Sequence, residues 1–369
     1  MQAKKSHGDR TLTVIVTLLV VVGLLTFLSA SFALIVKGDG RFGSALLSQL
    51  VLGLLGGGVG LFLVHSIPLG LVRKYAPWIF GAGLLATALV FVPGLGLSIN
   101  GAQRWLDLGV TTVQPSELLK LGYVLYLAGF IASAKGRAES LMQGVLPFGV
   151  VTAVVGMLLL LQPDTDTFAV IAISGLAMMF VAGLRIKHMA VMVGCAVLLI
   201  VFLLFMRPYL LERVETFLNP QQDTLGAGYQ INQALIAVGS GELFGRGFGQ
   251  SRQKFTYLPE ASSDSIFAVY AEEVGFLGAI MLIGLFCAFI LRGLWLAART
   301  TDVFQGLIIT GLTTVLGFQA FMNIAAMLGL IPVGGLPLPF VSHGGTALFT
   351  ALIMVGFILN ASRSIKSHV

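Results

Sequence analysis

The chain has 369 residues, 57% of them hydrophobic and 10% charged, with a formal net charge of +6 and a mean hydropathy of +0.95. Soluble domains hold about 45–50% apolar residues, so composition excludes a soluble enzyme and assigns the chain to a membrane. Nor does the positive charge indicate nucleic acid, because the basic residues stand singly or in pairs at the ends of apolar runs, as topology anchors do.

Ten runs reach spanning length, which is about 17–25 residues. They lie near 12–36, 45–67, 76–94, 115–133, 144–161, 167–184, 188–206, 264–291, 304–328 and 346–361. The expected fold is an all-α integral membrane protein of about ten transmembrane helices, one polytopic domain over 1–369, with a long extracytoplasmic loop at 207–263 between helices 7 and 8. The first run follows Lys4, Lys5 and Arg10, and Ser31-Phe32-Ala33 resembles a cleavage site. Its apolar stretch is too long for a signal peptide, so an uncleaved first helix is expected.

The loop at 95–116 carries Arg104 and Trp105 and leads into Pro115, at a first helical position, with Glu117 at the third. Three residues on, Lys120 falls inside an apolar span. A charge there is costly unless paired, and Glu117 is placed to pair with it. This pair either serves structure alone or positions a substrate or base. Pro163-Asp164-Thr165-Asp166-Thr167 makes a short acidic connection, in which a helix cap on Asp166 or Thr167 is favoured over a cation site.

Within 207–263, the stretch 229–238 reads as a short amphipathic helix at the interface. Gly239–Gly249, followed by Arg252 and Lys254 and containing Arg246, suggests either a pyrophosphate cradle or a flexible turn. Then Asp264 stands where a polar segment, with Glu260, becomes a membrane-length helix. Ser262 and Ser263 are candidate caps that put this carboxylate in the first helical turn, with Glu272 two turns deeper on the same face. The dipole favours its ionised form and lipid disfavours it, the compromise a general base needs. A plain cap or surface charge is the rival reading. The last outer loop, 334–345, is rich in Gly and Pro, holds Ser342 and His343, and is expected to close a cleft.

Cys195 and Cys287 lie in apolar spans with no pairing motif, and the five histidines show no metal spacing. Alternating the spans puts Lys4, Lys5, Arg10, Arg73, Lys74, Lys135, Arg137, Arg185, Lys187, Arg292, Arg299, Arg363 and Lys366 on one side, with only Lys37, Arg41 and Arg104 basic in the short loops opposite. Both termini are therefore expected to be cytoplasmic and the acidic loops outside.

These residues, in this order, resemble the SEDS family of FtsW, RodA and SpoVE. The resemblance rests on GAQRWLDLG (101–109), QPSELLKL (114–121), the QPD turn (162–164), the loop 219–249, LPEASSDSIFAVYAEEVGF (258–276) and NIAAMLGLIPVGGLPLPFVSHGG (323–345), and its long loop looks closer to FtsW. It implies a peptidoglycan glycosyltransferase of the bacterial cytoplasmic membrane that polymerises lipid II on the outer face, in cell division or elongation, beside a class B penicillin-binding protein and other divisome or elongasome proteins. Asp264 matches the family's essential aspartate, the general base. Arg104, Lys120, Arg246, Arg252 or Lys254 would face the undecaprenyl pyrophosphate leaving group, with Glu117, Asp164, Glu260, Glu272, Ser342 and His343 as supporting or substrate-binding residues. No cofactor is certain, and Mg²⁺ or Mn²⁺ would be the metal. The pattern departs at Ser263 and Ser265, where the family has Thr and Phe, at Asp166 in place of Gly, and at His343 in place of Tyr. A lipid II flippase and a non-catalytic scaffold for a penicillin-binding protein are the rivals. Neither needs a base at the outer rim.

Overall fold

A chain in hydrocarbon has to satisfy its own backbone groups, so each apolar run folds as a helix. The computed structural model describes residues 8–36, 41–99, 102–107, 109, 112–133, 140–206, 208–220, 223 and 226–365. Lys4, Lys5, Lys37, Lys135, Arg137 and Lys366 lie outside them.

In chain order the helices are α1 (Arg10–Val36), α2 (Arg41–Leu47), α3 (Gly57–Ser66), α4 (Leu69–Leu89), α5 (Pro115–Ser133), α6 (Leu146–Leu161), α7 (Thr165–Val181), α8 (Ile186–Met206), α9 (Pro208–Leu218), α10 (Ala227–Ser240), α11 (Gln253–Thr256), α12 (Ile266–Arg299), α13 (Val303–Met327) and α14 (Gly345–Ser362). A π-helical stretch, Ser48–Gly56, joins α2 to α3, and another, Leu141–Val145, leads into α6. Among the described residues seven helical segments are long and apolar enough to cross a membrane: Arg10–Val36, Phe42–Ser66, Pro115–Ser133, Leu141–Leu161, Ile266–Arg299, Val303–Met327 and Gly345–Ser362. The remaining three expected spans are helical too, as α4, α7 and α8. Helix α4 begins at Leu69, well before the expected 76, because Arg73 and Lys74 interrupt the hydropathy but not the helix.

The spans centre on α13 and α14, whose apolar windows are 78% and 83% buried, with α5 at 67%; the window of Phe42–Ser66 is only 17% buried and faces lipid. Small residues set the closest contacts. On α4, Gly83 lies against the backbone of Leu119, and on α5 Gly122 lies against that of Phe80. At one end of the bundle Asp9 pairs with Arg292 (2.5 and 3.0 Å), and Asn360 bonds the carbonyls of Val64 and Ile67. The described ends of the chain thus share one face, since a Cβ on Gly8 would lie 3.4 Å from Leu359.

The all-α membrane fold holds, with one small addition in the first outer loop. Residues 96–113 form a small antiparallel sheet, β1 (Gly96–Ile99), β2 (Ala102–Asp107) and β3 (Thr112–Val113), in the order β1-β2-β3. Ile99 pairs with Ala102. The register slips between Leu97, opposite Trp105, and Ser98, opposite Gln103, which makes Arg104 the extra residue of a β-bulge. Bulges re-aim side chains.

Nor is 207–263 an irregular loop, for it contains α9, α10 and α11. Helix α10 contains the amphipathic stretch expected at 229–238, and it packs on α12 with Ile231, Ala234 and Ala237 buried. Helix α12 is broken at Gly275 (φ 75°, ψ −171°), a conformation open essentially to glycine alone. A break at this depth frees backbone groups that lipid cannot satisfy. The glycine-rich segment supplies them: Arg246 and Gly247 N–H donate to the carbonyls of Glu272 and Glu273, each at 3.0 Å, while Phe276 and Leu277 N–H donate to Glu242 and Leu243 (2.8 and 3.2 Å). The stretch expected as a pyrophosphate cradle or a flexible turn is a clasp around the α12 break, with the amides of Arg246 and Gly247 engaged on it.

A Cβ at Gly275 would meet the backbone of Leu243 at 2.7 Å in addition to the wrong backbone conformation. Gly275→Ala is expected to destabilise the protein by about 1–3 kcal/mol or more, read as a lower unfolding midpoint in detergent. Gly284→Ala, on the same helix with no atom within 4 Å, should leave that midpoint unchanged or slightly raised. Equal midpoints for the two variants would refute the clasp.

Candidate active site

Asp264 ends a tight turn. Ser263 and Ser265 N–H both donate to the carbonyl of Glu260 (3.1 Å each), and Ser263 Oγ donates to Glu260 Oε2 (2.7 Å). These bonds hold the chain out of helix until Ile266, so the cap falls on Ser265, not on Ser262 or Ser263. Asp264 precedes the cap instead of occupying the first helical turn. Ser265 Oγ accepts from Gln230 of α10 (2.9 Å), which pins the turn to the outer layer.

The turn is held from the other side by the last outer loop. Ser342 Oγ donates to the carbonyl of Ser263 (2.6 Å) and accepts from Leu338 N–H (2.7 Å), and His343 N–H donates to the carbonyl of Ser262 (2.7 Å). The His343 ring stacks on Phe27 (5.4 Å, 14°). Burial pushes its pKa below the ordinary value, against a backbone bond to Ala45 and the charge of Glu260, so the ring is neutral at pH 7.

Beneath this loop lies a buried polar chain. Lys120 Nζ, 1% exposed, donates to Glu117 Oε1 (2.9 Å) and to Gln319 Oε1 (2.6 Å), and Thr350 of α14 donates to Glu117 Oε2 (3.2 Å). Gln319 then donates to the carbonyl of Pro337 (2.9 Å). One turn along α13, Asn323 Nδ2 donates to the carbonyls of Leu336 (2.7 Å) and Asp264 itself (2.8 Å). Lys120 is a positioning residue, too deep to meet substrate.

Asp264 lines a small cleft with Asp166, Asn323, Met322, Ile331 and Gly335. Gly335 admits both charges of the site, since a Cβ there would lie 3.4 Å from Asp264 Oδ2 and 4.0 Å from Arg104 Nη1. Arg104 is aimed from the β-bulge. Its Nε and Nη2 bond the carbonyls of Gln162 and Pro163, and its Nη1 lies 3.7 Å from Asp164 Oδ1. Burial, then the charge of Glu260, pushes the Asp264 pKa up to about 7; Arg104 opposes the rise and Asp166 adds to it.

The acidic turn departs from expectation: Asp164 takes the cap position of α7, while Asp166 pairs with Arg213 of α9 (3.1 Å). Arg246, Lys254 and Glu272 do not line the cleft. Glu272 accepts from Ser251 Oγ (2.6 Å) and Arg252 N–H (3.0 Å) and lies 3.7 Å from Arg246 Nε, so these groups anchor the clasp. Lys254, fully buried, spends its charge on Glu273 (2.6 Å) and Ser29 of α1 (2.7 Å). Arg252 bonds Glu272 through its backbone, and its side chain is exposed. Gln319, Asn323, Arg213 and Glu273 were not singled out from sequence. The signal for the first two was present, as amide side chains four residues apart on one face of an apolar helix.

Among the described residues no three His, Cys, Asp or Glu side chains gather to hold a metal. Asp166 and Asp264 share the cleft, but Asp166 is paired with Arg213. Mg²⁺ is usually held by one or two carboxylates completed by water and substrate phosphates, so these two acids are the described groups that would hold such an ion.

Removing one member of a buried ion pair costs about 3–5 kcal/mol. Lys120→Ala is accordingly expected to lower the unfolding midpoint sharply in detergent, and Glu117→Gln with Lys120→Met to recover much of the loss. Exchanging the two residues should restore only part, because a carboxylate would then face Gln319 Oε1. A neutral Lys120→Ala would refute the buried-pair account.

The sequence matches the family described as Cell cycle protein, FtsW/RodA/SpoVE, over residues 9–367. It is 36% identical over 365 residues to stage V sporulation protein E of Bacillus subtilis (strain 168), covering 98% of this chain and 99% of that protein. It is 39% identical to the probable peptidoglycan glycosyltransferase FtsW of Halothiobacillus neapolitanus, over 95% of this chain and 85% of that one. Among solved structures, a chain of a peptidoglycan synthase complex that coordinates polymerization and crosslinking superposes with a TM-score of 0.79 at 30% identity, covering 98% of this chain and 99% of that one. The rod shape determining protein RodA of Thermus thermophilus, in an aspartate-to-alanine mutant, superposes at 0.71 with 30% identity, over 98% and 99%.

Proposed function

The chain belongs to the FtsW, RodA and SpoVE family of cell cycle proteins, and from that membership we propose that it is a peptidoglycan glycosyltransferase polymerising lipid II on the outer face of the cytoplasmic membrane. The observation that carries the reading is Asp264: a carboxylate at the mouth of a membrane helix, in a cleft, with its pKa raised to about 7 beside Arg104. A base of that strength is about half ionised at pH 7 and basic enough to draw a proton from a hydroxyl in the transition state.

In the reaction, Asp264 takes the proton of the 4-hydroxyl on the terminal GlcNAc of one lipid II. The oxygen attacks the anomeric carbon of the MurNAc that ends the growing chain. The bond to undecaprenyl pyrophosphate breaks with inversion, and the leaving group departs as an anion that needs no general acid. Arg104 is the cation best placed to meet developing charge. Lys120 and Lys254, both buried and paired, hold the architecture instead.

The cytoplasmic placement of both termini is part of the proposal. It is supported by Arg73, Lys74, Arg185, Lys187, Arg292, Arg299 and Arg363 falling at the ends of spans on the side opposite the cleft. A class B penicillin-binding protein is the proposed partner, supported by the likeness to a chain of a peptidoglycan synthase complex. The higher identity to proteins named FtsW than to RodA favours a division role.

Purified protein, with and without its cognate penicillin-binding protein, should convert lipid II to glycan strands, and Asp264→Asn should lower the rate by about 10²–10⁴-fold. Strand synthesis undiminished in that variant would sink the mechanism. Below its pKa the carboxyl is protonated and cannot accept a proton, so the rate should climb about tenfold per pH unit on the acid side and level off near pH 7. A limb near pH 4 would mean that burial does not tune the base.

A further inference from the structure

Asn323 is 3% exposed and stands in the wall of the cleft that Asp264 lines. Its Nδ2 donates to two carbonyls, those of Asp264 and Leu336, so both N–H bonds of the amide are spent. The same two carbonyls fix which way the amide faces, because a flipped side chain would set its oxygen against two acceptors. Oδ1 is left as a buried acceptor to which no described group donates. The side chains of Met322, Ala326, Met327 and Ile331 that share the cleft carry no donor. A buried acceptor is normally satisfied, and Asn323 lines the cleft, from which an occupant could supply the donor.

The chemistry of that occupant follows from the atom. An oxygen with only lone pairs repels phosphate and receives hydroxyl or amide N–H groups. Resting on the glycosyltransferase reading, we propose that Asn323 Oδ1 recognises the acceptor sugar by taking a hydrogen bond from the hydroxyl vicinal to the nucleophile, the 3-hydroxyl of the terminal GlcNAc. The nucleophilic hydroxyl has one proton and Asp264 takes it, so the second contact belongs to a neighbouring group. One planar amide then spans the site. Its nitrogen holds the backbone of the base and its oxygen holds the sugar, which sets the separation of proton donor and acceptor through a side chain with two torsions.

The test compares lipid II with an analogue whose terminal GlcNAc is 3-deoxy, each as acceptor, using the full-length protein with its partner and reading kcat/KM. The wild-type protein is expected to prefer lipid II on the order of tenfold or more, as sites built around a substrate hydroxyl do, whereas a 6-deoxy analogue should lose much less. In Asn323→Ala and Asn323→Ser the preference should shrink to within about twofold, while the rate with both acceptors falls because the hold on the Asp264 carbonyl is weakened. A merely structural role would lower both rates and leave the preference intact, and that result would overturn the proposal. So would a wild-type protein indifferent to the 3-hydroxyl, an outcome that does not depend on either variant folding. If wild-type protein makes no strands from lipid II at all, the glycosyltransferase reading itself fails, a result distinct from lost discrimination.

Discussion

Two opposite charges set among α5, α13 and α14, on Glu117 and Lys120, cannot stand alone in an apolar bundle, and the ammonium has more protons than one carboxylate absorbs. The surplus goes to Gln319. Gln319 in turn has an amide nitrogen to place, and it goes to the carbonyl of Pro337. A buried ion pair thereby dictates the position of an outer loop that has no regular structure of its own. The loop closes onto the Asp264 turn through Ser342 and His343, and α13 reaches the same turn directly through Asn323. The geometry at Asp264 thus follows from pairing buried polar groups in a medium that offers no water.

The same constraint explains the second polar layer. The break at Gly275 makes room for two adjacent acids, Glu272 and Glu273, to turn toward the segment 246–254 rather than along the helix. Glu272 receives N–H and hydroxyl groups from 251–253, and Glu273 receives Lys254 and Ser29. Ser29 belongs to α1, so the clasp fastens the outer segment to the first helix as well as to α12. What looked like a cluster of cations for a phosphate is mostly a set of internal countercharges.

The fold was legible wherever one physical signal dominates. Hydropathy located ten helices, and periodicity located α10 within a segment otherwise read as loop. Asp264 was legible because an acid at a lipid boundary is expensive and so conspicuous. The pairing of β1 with β2 was overlooked because a short sheet carries little hydropathic contrast against neighbouring spans. The cap was placed too early, on Ser262 or Ser263 instead of Ser265, because its position depends on Glu260, whose carbonyl captures Ser263 and Ser265 N–H before the helix can. Lys254 was misassigned for a different reason. Its partner Glu273 is 19 residues away and Ser29 is 225 away, and no local pattern reports a contact at that range.

The electrostatics of the cleft tie the outermost helix to the base. Asp264 is raised by burial, by Glu260 and by Asp166, and lowered by Arg104. Of these, burial, Glu260 and Arg104 are held by the turn and the bulge, but the influence of Asp166 depends on Arg213. Arg213 rides on α9, and α8 before it has side chains largely open to lipid. Arg213 offsets part of the charge of Asp166, and what remains adds to the rise at Asp264. Were α9 to move away, Asp166 would lose its partner, and two neighbouring carboxylates that resist joint ionisation would compete for one proton. Asp166 thereby links the charge state of Asp264 to the seating of an amphipathic helix.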